Sequence, residues 1–246
     1  MKMIILAAGQ GTRLRPLTND KPKCMVEYKN KTIIDSILEV AKKCNLENIA
    51  VVNGYKKEVL EEYLKNENLK FYTNKEFYKT NMVSTLFCAK EFMNDDIIIS
   101  YADIIYKEEV LEKLIASKDD FSVVVDKEWK ALWSQRMDNP LDDAETLKVR
   151  DSKIVELGKK PNSYDEIEGQ YIGLIKISKT ILGKVISYFE NLDKDSLYDG
   201  KDFENMYMTS FIQMMIDDLC DVKPVYINGG WVEIDCVDDM KSEIVN

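Results

Sequence analysis

Two cations follow a glycine-rich turn near the start of this 246-residue chain. Arg13 lies two residues after Gly11, and Lys23 lies in a Lys-Pro-Lys triplet further along. Glycines at positions 9 and 11 let the backbone approach a ligand closely and adopt positive φ, so that consecutive N–H groups can form an anion-binding concavity. Arginine can bind two phosphate oxygens at once, and lysine acts as a point charge. The segment therefore predicts a site for a polyphosphate.

The turn does not match the other common phosphate-binding patterns. A dinucleotide-binding fingerprint needs a third glycine where this chain has Leu14. A P-loop needs a Gly-Lys-Ser/Thr triplet, which does not follow Gly9. An ordinary strand and turn with a surface arginine would explain two glycines, but it does not explain the whole ordered string Gly9, Gly11, Arg13, Pro16, Thr18 and Lys21-Pro22-Lys23.

The chain contains no histidine. Histidine supplies many general bases, the Ser–His and Cys–His couples, and the usual zinc ligand sets. Any reaction must therefore use carboxylates, lysine, arginine, hydroxyl groups or a hard metal ion. Cys24 directly follows Lys23 and could be read as a nucleophile, but we interpret it as a small, buried apolar residue.

The net charge of −10 argues against duplex nucleic acid or an anionic membrane as the main partner. The sequence shows no N-terminal signal pattern and no apolar run of membrane-spanning length. Its five cysteines are odd in number and scattered, which is typical of a reducing cytoplasm rather than of a disulfide framework. We therefore expect a cytoplasmic protein that binds small molecules, while its oligomeric state is left open.

The elements that would position the two cations alternate between strands and helices. This alternation predicts a mainly parallel sheet with helices on both faces. We expect one domain over residues 1–246, with an insertion of short strands at 128–173. The apolar runs are 3–6, 49–52 and 69–72, and the amphipathic helical patterns between them are 32–41 and 56–65.

Two acidic positions later in the chain are candidate ligands for a metal ion. Asp103 lies just past a buried strand at 96–101, where open α/β sheets bind ligands. Near the C-terminus, strand alternation over 231–235 places Glu233 and Asp235 on the same face. In isolation, Asp103 would be read as a turn-forming residue.

A predicted helix over about 81–92 begins with Asn81 and Ser84. Helix N-termini offer free N–H groups to ligands. The two side chains could cap the helix or contact a ligand, and both interpretations remain open at this point.

Taken in order, these motifs resemble the signature of nucleotidyltransferases that make sugar nucleotides and CDP-alcohols. The resemblance implies a Rossmann-like three-layer α/β sandwich with a mixed, mainly parallel sheet and a small β-rich insertion that binds the acceptor. It also implies Mg²⁺ held by Asp103 and Asp235, with Arg13 on the β- and γ-phosphates and Lys23 between the α-phosphate and the incoming phosphate. The expected nucleotide-binding residues are Leu6, Ala7, Ala8, Gly9, Gly11, Thr12, Asn81 and Ser84.

Within this family, the chain looks most like small cytidylyltransferases that use CTP and a phosphorylated acceptor, including those that act on phosphoglutamine in capsule phosphoramidate synthesis. Phosphocholine and sugar-1-phosphate enzymes are the alternatives. A catalytically inactive regulatory protein of the same fold is a third possibility, against which the intact cations and acids argue. Glycosyltransferases of related fold normally carry a second acid where this chain has Ile105, which weakens that interpretation.

The insertion and its neighbours carry both signs of charge together with aromatic residues. A quaternary ammonium needs an aromatic cage and no donors aimed at it, whereas an amino-acid acceptor has a carboxylate and an ammonium. The mixture favours phosphorylated glutamine over phosphocholine, in line with the resemblance. The candidate acceptor residues are Trp129, Trp133, Arg136, Lys160, Glu168, Gln170, Tyr171 and Glu204.

Overall fold

The computed structural model describes residues 1–244, which form thirteen strands and seven α-helices. The strands are β1 (Lys2–Ala7), β2 (Glu27–Tyr28), β3 (Lys31–Thr32), β4 (Ile49–Asn53), β5 (Leu69–Thr73), β6 (Ile97–Tyr101), β7 (Ile104–Tyr106), β8 (Phe121–Asp126), β9 (Leu147–Arg150), β10 (Lys153–Leu157), β11 (Gln170–Ile177), β12 (Lys223–Ile227) and β13 (Trp231–Glu233). The helices are α1 (Ile33–Lys43), α2 (Lys57–Tyr63), α3 (Met82–Phe87), α4 (Glu108–Ala116), α5 (Trp129–Arg136), α6 (Lys179–Glu190) and α7 (Met208–Asp218).

A seven-stranded central sheet has the order β12-β8-β11-β6-β1-β4-β5. Its pairings are parallel except around β11, which runs antiparallel to both β6 and β8. In the centre, Ile5 is in register with Val51 of β4 and Ser100 of β6. The mixed, mainly parallel sheet predicted from the sequence is confirmed.

Strand alternation sends side chains of β1 into two separate apolar layers. Met3 and Ile5 pack in a cluster with buried residues of α1 and α4, whereas Ile4 and Leu6 pack in a second cluster with α3, α6 and α7. Because successive side chains of a strand point to opposite faces, helices cover the sheet on both sides. This arrangement confirms the three-layer sandwich.

The chain reverses its direction of travel across the sheet at β1. It passes from β1 through α1 to β4 and β5 on one side, then returns to β6 on the other side of β1. Ligands of open α/β sheets bind beside the carboxyl ends of the strands at such a switch point. The loops after β1 and β6 therefore meet where a ligand site is expected.

The structure corrects two details of the predicted elements. The helix predicted over 81–92 ends at Phe87 as α3 and is followed by a separate 3₁₀ turn, Lys90–Phe92. The insertion contains α5 in addition to the β9–β10 hairpin, so it is not only β-rich. The helix α5 has eight residues, which are too few to display a clear helical period. No helix among residues 1–244 is long and apolar enough to cross a membrane.

Gly173 allows the ring of Tyr101 to pack against β11, and we predict that Gly173→Ala destabilises the fold. Its φ is +88°, and a Cβ there would lie 2.5 Å from Cδ2 of Tyr101. Left-handed strain and overpacking together should cost roughly 2 kcal/mol or more, which lowers Tm by roughly 4–8 °C. Calorimetry measures this loss.

The matched control is Gly183→Ala. Gly183 lies on the exposed side of α6, and nothing lies within 4 Å of a Cβ built there. Alanine is the better helix former by about 1 kcal/mol, so this variant should be slightly more stable than the wild type. Equal Tm changes in the two variants would contradict the close contact between Gly173 and Tyr101.

Candidate active site

The loop after β1 is held in a shape that brings Lys23 close to Gly11. Gly11 has φ +62°, and a Cβ there would lie 2.9 Å from Cβ of Lys23. The hydroxyl of Thr18 donates to the Gly11 carbonyl at 2.7 Å. The hydroxyl of Tyr55 in turn contacts the carbonyls of Thr18 and Asn19 at 3.1 and 3.0 Å. A side chain at position 11 would push Lys23 out of its place.

Lys23 joins the two predicted metal ligands. Its Nζ donates to Oδ2 of Asp103 at 2.8 Å and to Oδ1 of Asp235 at 2.6 Å. Arg13 approaches the second oxygen of Asp235 at 2.5 Å. Four residues that are distant in the sequence, all predicted for the site, therefore form one charged cluster beside the carboxyl ends of β1 and β6.

The two acids favour the charged form of the Lys23 ammonium. Burial lowers the pKa of the Lys23 ammonium, but Asp103 and Asp235 outweigh this effect and hold the pKa above its ordinary value. Oδ1 of Asp103 is buried and has no hydrogen-bond partner among residues 1–244. An unsatisfied buried acceptor is costly, so this oxygen is available to a cation or a donor.

A cleft of about 260 Å³ opens beside the cluster. All the predicted nucleotide-binding residues except Ser84 line this cleft. The hydroxyl of Ser84 instead donates to the Glu204 carbonyl at 3.0 Å. Asn81 both caps α3, where its side chain accepts from the Met82 N–H, and lines the cleft. The other predicted residues on the wall are Leu6, Ala7, Ala8, Gly9, Gly11 and Thr12.

Sequence reasoning did not find the outer wall of this cleft. Phe77, Thr80 and Thr85 line it, together with Tyr101 at the end of β6. Residues 74–81 read as a polar loop, and no periodic signal assigned these side chains to a ligand. Cys24 also borders the cleft, but burial raises the pKa of its thiol to about 12, so it remains protonated as expected of an apolar core residue.

A second cavity of about 200 Å³ adjoins the first and shares Met82 and Tyr101 with it. Trp133 lines this cavity, and its Nε1 is buried without a hydrogen-bond partner in the part of the chain that the structure describes. Three of the predicted acceptor residues belong to its wall, namely Trp133, Gln170 and Tyr171.

Two predicted acceptor residues are core residues instead. Trp129 is buried and packs edge to face against Trp133 with ring centroids 5.9 Å apart. The guanidinium of Arg136 is fully engaged with Glu233 and Asp239, and 6% of its side chain is exposed. We correct their predicted contact with the acceptor to packing and to ion pairing, respectively.

Three further candidates lie off the cavity wall. Lys160 donates to the backbone carbonyls of 141–142, both at 2.6 Å. Glu168 accepts from the backbone N–H of Val149 at 2.9 Å. Glu204 has an exposed side chain near Lys79. These three residues make local contacts in the structure, and their assignment to the acceptor stays a prediction.

The cavity contains acids that the candidate set omitted. Burial raises the pKa of Glu233 above its ordinary value, although Arg136 beside it acts in the opposite direction. Burial also raises the pKa of Glu145 to about 7, and the neighbouring Asp143 adds to the shift. The Gln170 amide grips the backbone of Glu145, accepting from its N–H at 3.0 Å and donating to its carbonyl at 2.5 Å.

Glu233 had a signal in the sequence, namely its alternation with Asp235. The structure separates the pair, because Glu233 lines the second cavity and Asp235 lines the first. Nothing in the sequence pointed to Glu145, which depends on a contact with Gln170 twenty-five positions away.

Comparison of the sequence with known families identifies the family of this chain. The sequence profile of the family described as nucleotidyl transferase covers residues 2–131, which contain the glycine-rich loop, Lys23 and Asp103. The chain belongs to the nucleotidyl transferase family. The resemblance inferred from its motifs is thereby confirmed.

Several relatives of this nucleotidyl transferase are known. The CTP:phosphoglutamine cytidylyltransferase of Campylobacter jejuni is 54% identical over 251 residues, covering 99% of each chain. The choline-phosphate cytidylyltransferase of Streptococcus pneumoniae is 34% identical over 44% of this chain and 47% of its own length. The inositol-1-phosphate CTP transferase structure from T. maritima superposes with a TM-score of 0.77 at 22% identity, covering 97% of this chain and 90% of that one. The last comparison concerns the fold alone.

Proposed function

We propose that this nucleotidyl transferase moves CMP from CTP to phosphorylated glutamine and releases pyrophosphate. The observation that carries the proposal is the Lys23 bridge between Asp103 and Asp235, which borders a cleft that adjoins an acid-lined cavity. The high identity to a CTP:phosphoglutamine cytidylyltransferase over nearly the full length supports this choice of substrates.

In the proposed reaction, a phosphate oxygen of the acceptor attacks the α-phosphorus of CTP, and the bond from that phosphorus to the bridging oxygen of pyrophosphate breaks. The attacking phosphate is already an anion, so no general base is needed and a chain without histidine is not at a disadvantage. Catalysis then depends on positioning and on offsetting negative charge. We assign Lys23 to the reacting phosphates and Arg13 to the leaving β- and γ-phosphates.

We further propose that Asp103 and Asp235 hold a divalent ion, specifically Mg²⁺. Mg²⁺ is commonly bound by one or two carboxylates together with substrate phosphates and water, and two carboxylates with a free, buried Asp103 oxygen fit that requirement. No group of three or more His, Cys, Asp or Glu ligands occurs within residues 1–244, in agreement with a site completed by substrate. When bound, the ion would neutralise charge on the triphosphate.

The second cavity is our proposed acceptor site. Glu233 and Glu145 lie on its wall and, once ionised, would match the ammonium of an amino acid; an ammonium beside them favours the ionised form. The indole N–H of Trp133 is a free donor for a carboxylate or carbonyl oxygen. The trimethylammonium end of phosphocholine has no acceptor atom for such a donor, which is why we favour phosphoglutamine.

We regard residues 1–246 as one nucleotidyl transferase domain, with 128–173 as its acceptor side. The insertion supplies Trp133, Glu145 and Gln170 to the second cavity, whereas the first half of the chain supplies most of the nucleotide cleft. All five cysteines are free, which is consistent with a reducing cytoplasm. We expect the enzyme to act there, in capsule phosphoramidate synthesis.

The substrate assignment predicts that CTP with phosphoglutamine is turned over faster than any other pair. Pyrophosphate release is measured with CTP, UTP, ATP and GTP against phosphoglutamine, phosphocholine and a sugar 1-phosphate, and product mass identifies the CDP-linked compound. Faster turnover with phosphocholine or the sugar 1-phosphate would contradict the acceptor while leaving CMP transfer standing. If no pair of substrates is turned over, the proposed enzymatic activity is itself wrong.

Replacing Lys23 tests the charged cluster. Lys23→Ala should lower kcat by roughly 10²–10³-fold, because removing one group that stabilises developing charge has an effect of that size. The control is Lys29→Ala, whose exposed ammonium pairs with Glu243 and which should behave as wild type. A change confined to the acceptor KM would mean that Lys23 contributes only ground-state binding.

Replacing Glu145 tests the acceptor site. Glu145→Gln preserves shape and should raise the KM for phosphoglutamine by roughly 10–100-fold, the scale of one charged hydrogen bond, with little change in kcat. The same phosphorylated amide lacking its α-amino group should be used equally by both proteins. Glu190→Gln, at an exposed ion pair with Lys90, is the control. An unchanged KM would remove Glu145 from the acceptor site.

A further inference from the structure

Arg136 at the end of α5 is almost completely buried, yet it touches neither the cleft nor the second cavity as a wall residue. Its Nη1 donates to Oε2 of Glu233 at 2.6 Å. Its Nε and Nη2 donate to the two oxygens of Asp239 at 2.8 and 3.3 Å. One guanidinium therefore holds two carboxylates in fixed directions.

These two carboxylates serve different sites. Glu233 lines the second cavity. Oδ2 of Asp239 accepts the backbone N–H groups of Asp235 and Cys236, both at 2.8 Å, and so fixes the segment that carries Asp235 into the first cleft. Asp235 in turn contacts Lys23 at 2.6 Å. A continuous path of short polar contacts thus connects the two cavities through Arg136.

The charge of Arg136 is needed because four acids crowd this region. Glu233 and Asp239 contact it directly, while Asp103 and Asp235 share the single charge of Lys23 and, for Asp235, that of Arg13. The planar fork of arginine makes both contacts at fixed angles, which a lysine ammonium does not reproduce.

We propose that Arg136 is a positioning residue that sets the acceptor site and the metal site together, holding Glu233 toward the acceptor and, through Asp239, holding Asp235 toward the ion and Lys23. This inference rests on the proposed function. Replacing a residue that hydrogen-bonds to a metal ligand typically lowers metal affinity or activity by roughly 10–100-fold. Arg136 should therefore affect both substrates without touching either one.

The test uses three conservative variants of the full chain and two binding measurements. Calorimetry gives the affinity for CTP in the presence of Mg²⁺, and quenching of tryptophan fluorescence reports acceptor binding, because Trp133 and Trp231 line the second cavity. Asp239→Asn should weaken Mg²⁺-dependent CTP binding by roughly 10-fold or more and leave acceptor binding within about 2-fold. Glu233→Gln should show the opposite pattern, and Arg136→Lys should weaken both.

The control for a purely structural effect is Lys176→Met. Lys176 is also buried, and its ammonium donates to the carbonyls of Ile115 and Ser117 at the C-terminal end of α4. This variant should lower Tm without changing either affinity. If Arg136→Lys likewise lowers only Tm, or weakens only one of the two ligands, the proposal is overturned.

Failure of the proposed function would look different. A wild-type protein without CMP transfer would contradict that function, whereas Mg²⁺-dependent CTP binding by Arg136→Lys and Asp239→Asn would still report on the Arg136 path. Should Arg136→Lys fail to fold, the other two variants decide, because the proposal requires their binding losses to fall on different ligands. Equal losses on both ligands in both variants would contradict it.

Discussion

The site depends on one ammonium placed between two carboxylates. Without Lys23, the negative charges of Asp103 and Asp235 would repel each other across the cleft. With Lys23, one ammonium donates to an oxygen of each acid and holds both side chains in place. The contact also ties together three distant parts of the chain, namely the loop after β1, the end of β6 and the segment after β13.

Much of the surrounding backbone exists to place this contact. The absent side chain at Gly11 makes room for Lys23, and the Thr18 and Tyr55 hydroxyls fix the loop that carries it. On the opposite side, Asp239 fixes the backbone that carries Asp235. Hydrogen bonds from these side chains to the backbone, together with the missing side chain at Gly11, therefore set the distances within the site.

The sequence predicted the site residues best where they lie directly after a strand of the sheet. Strand periodicity predicted the central sheet, and the carboxyl ends of parallel strands meet at one edge, so the glycine-rich loop and Asp103 could be placed together before the structure was known. The sequence predicted less in the insertion, because the role of a charged side chain there depends on which distant residue it contacts. Arg136 and Glu168 look alike as candidates for a ligand, and only the distant residues Asp239 and Val149 reveal that they are already engaged. Glu145 reaches the cavity only through its pairing with Gln170.

The antiparallel strand β11 has a consequence for the ancestry of such enzymes. Because β11 is antiparallel to its neighbours, its first residue lies beside the last residue of β8, and Gln170 pairs directly with Asp126. Residues 127–169 therefore leave the sheet at the end of β8 and re-enter it at the neighbouring position in β11. Lengthening such a loop costs little, since the closure entropy grows only with the logarithm of its length. The sheet could thus exchange one recognition module for another during evolution while the triphosphate chemistry stayed unaltered.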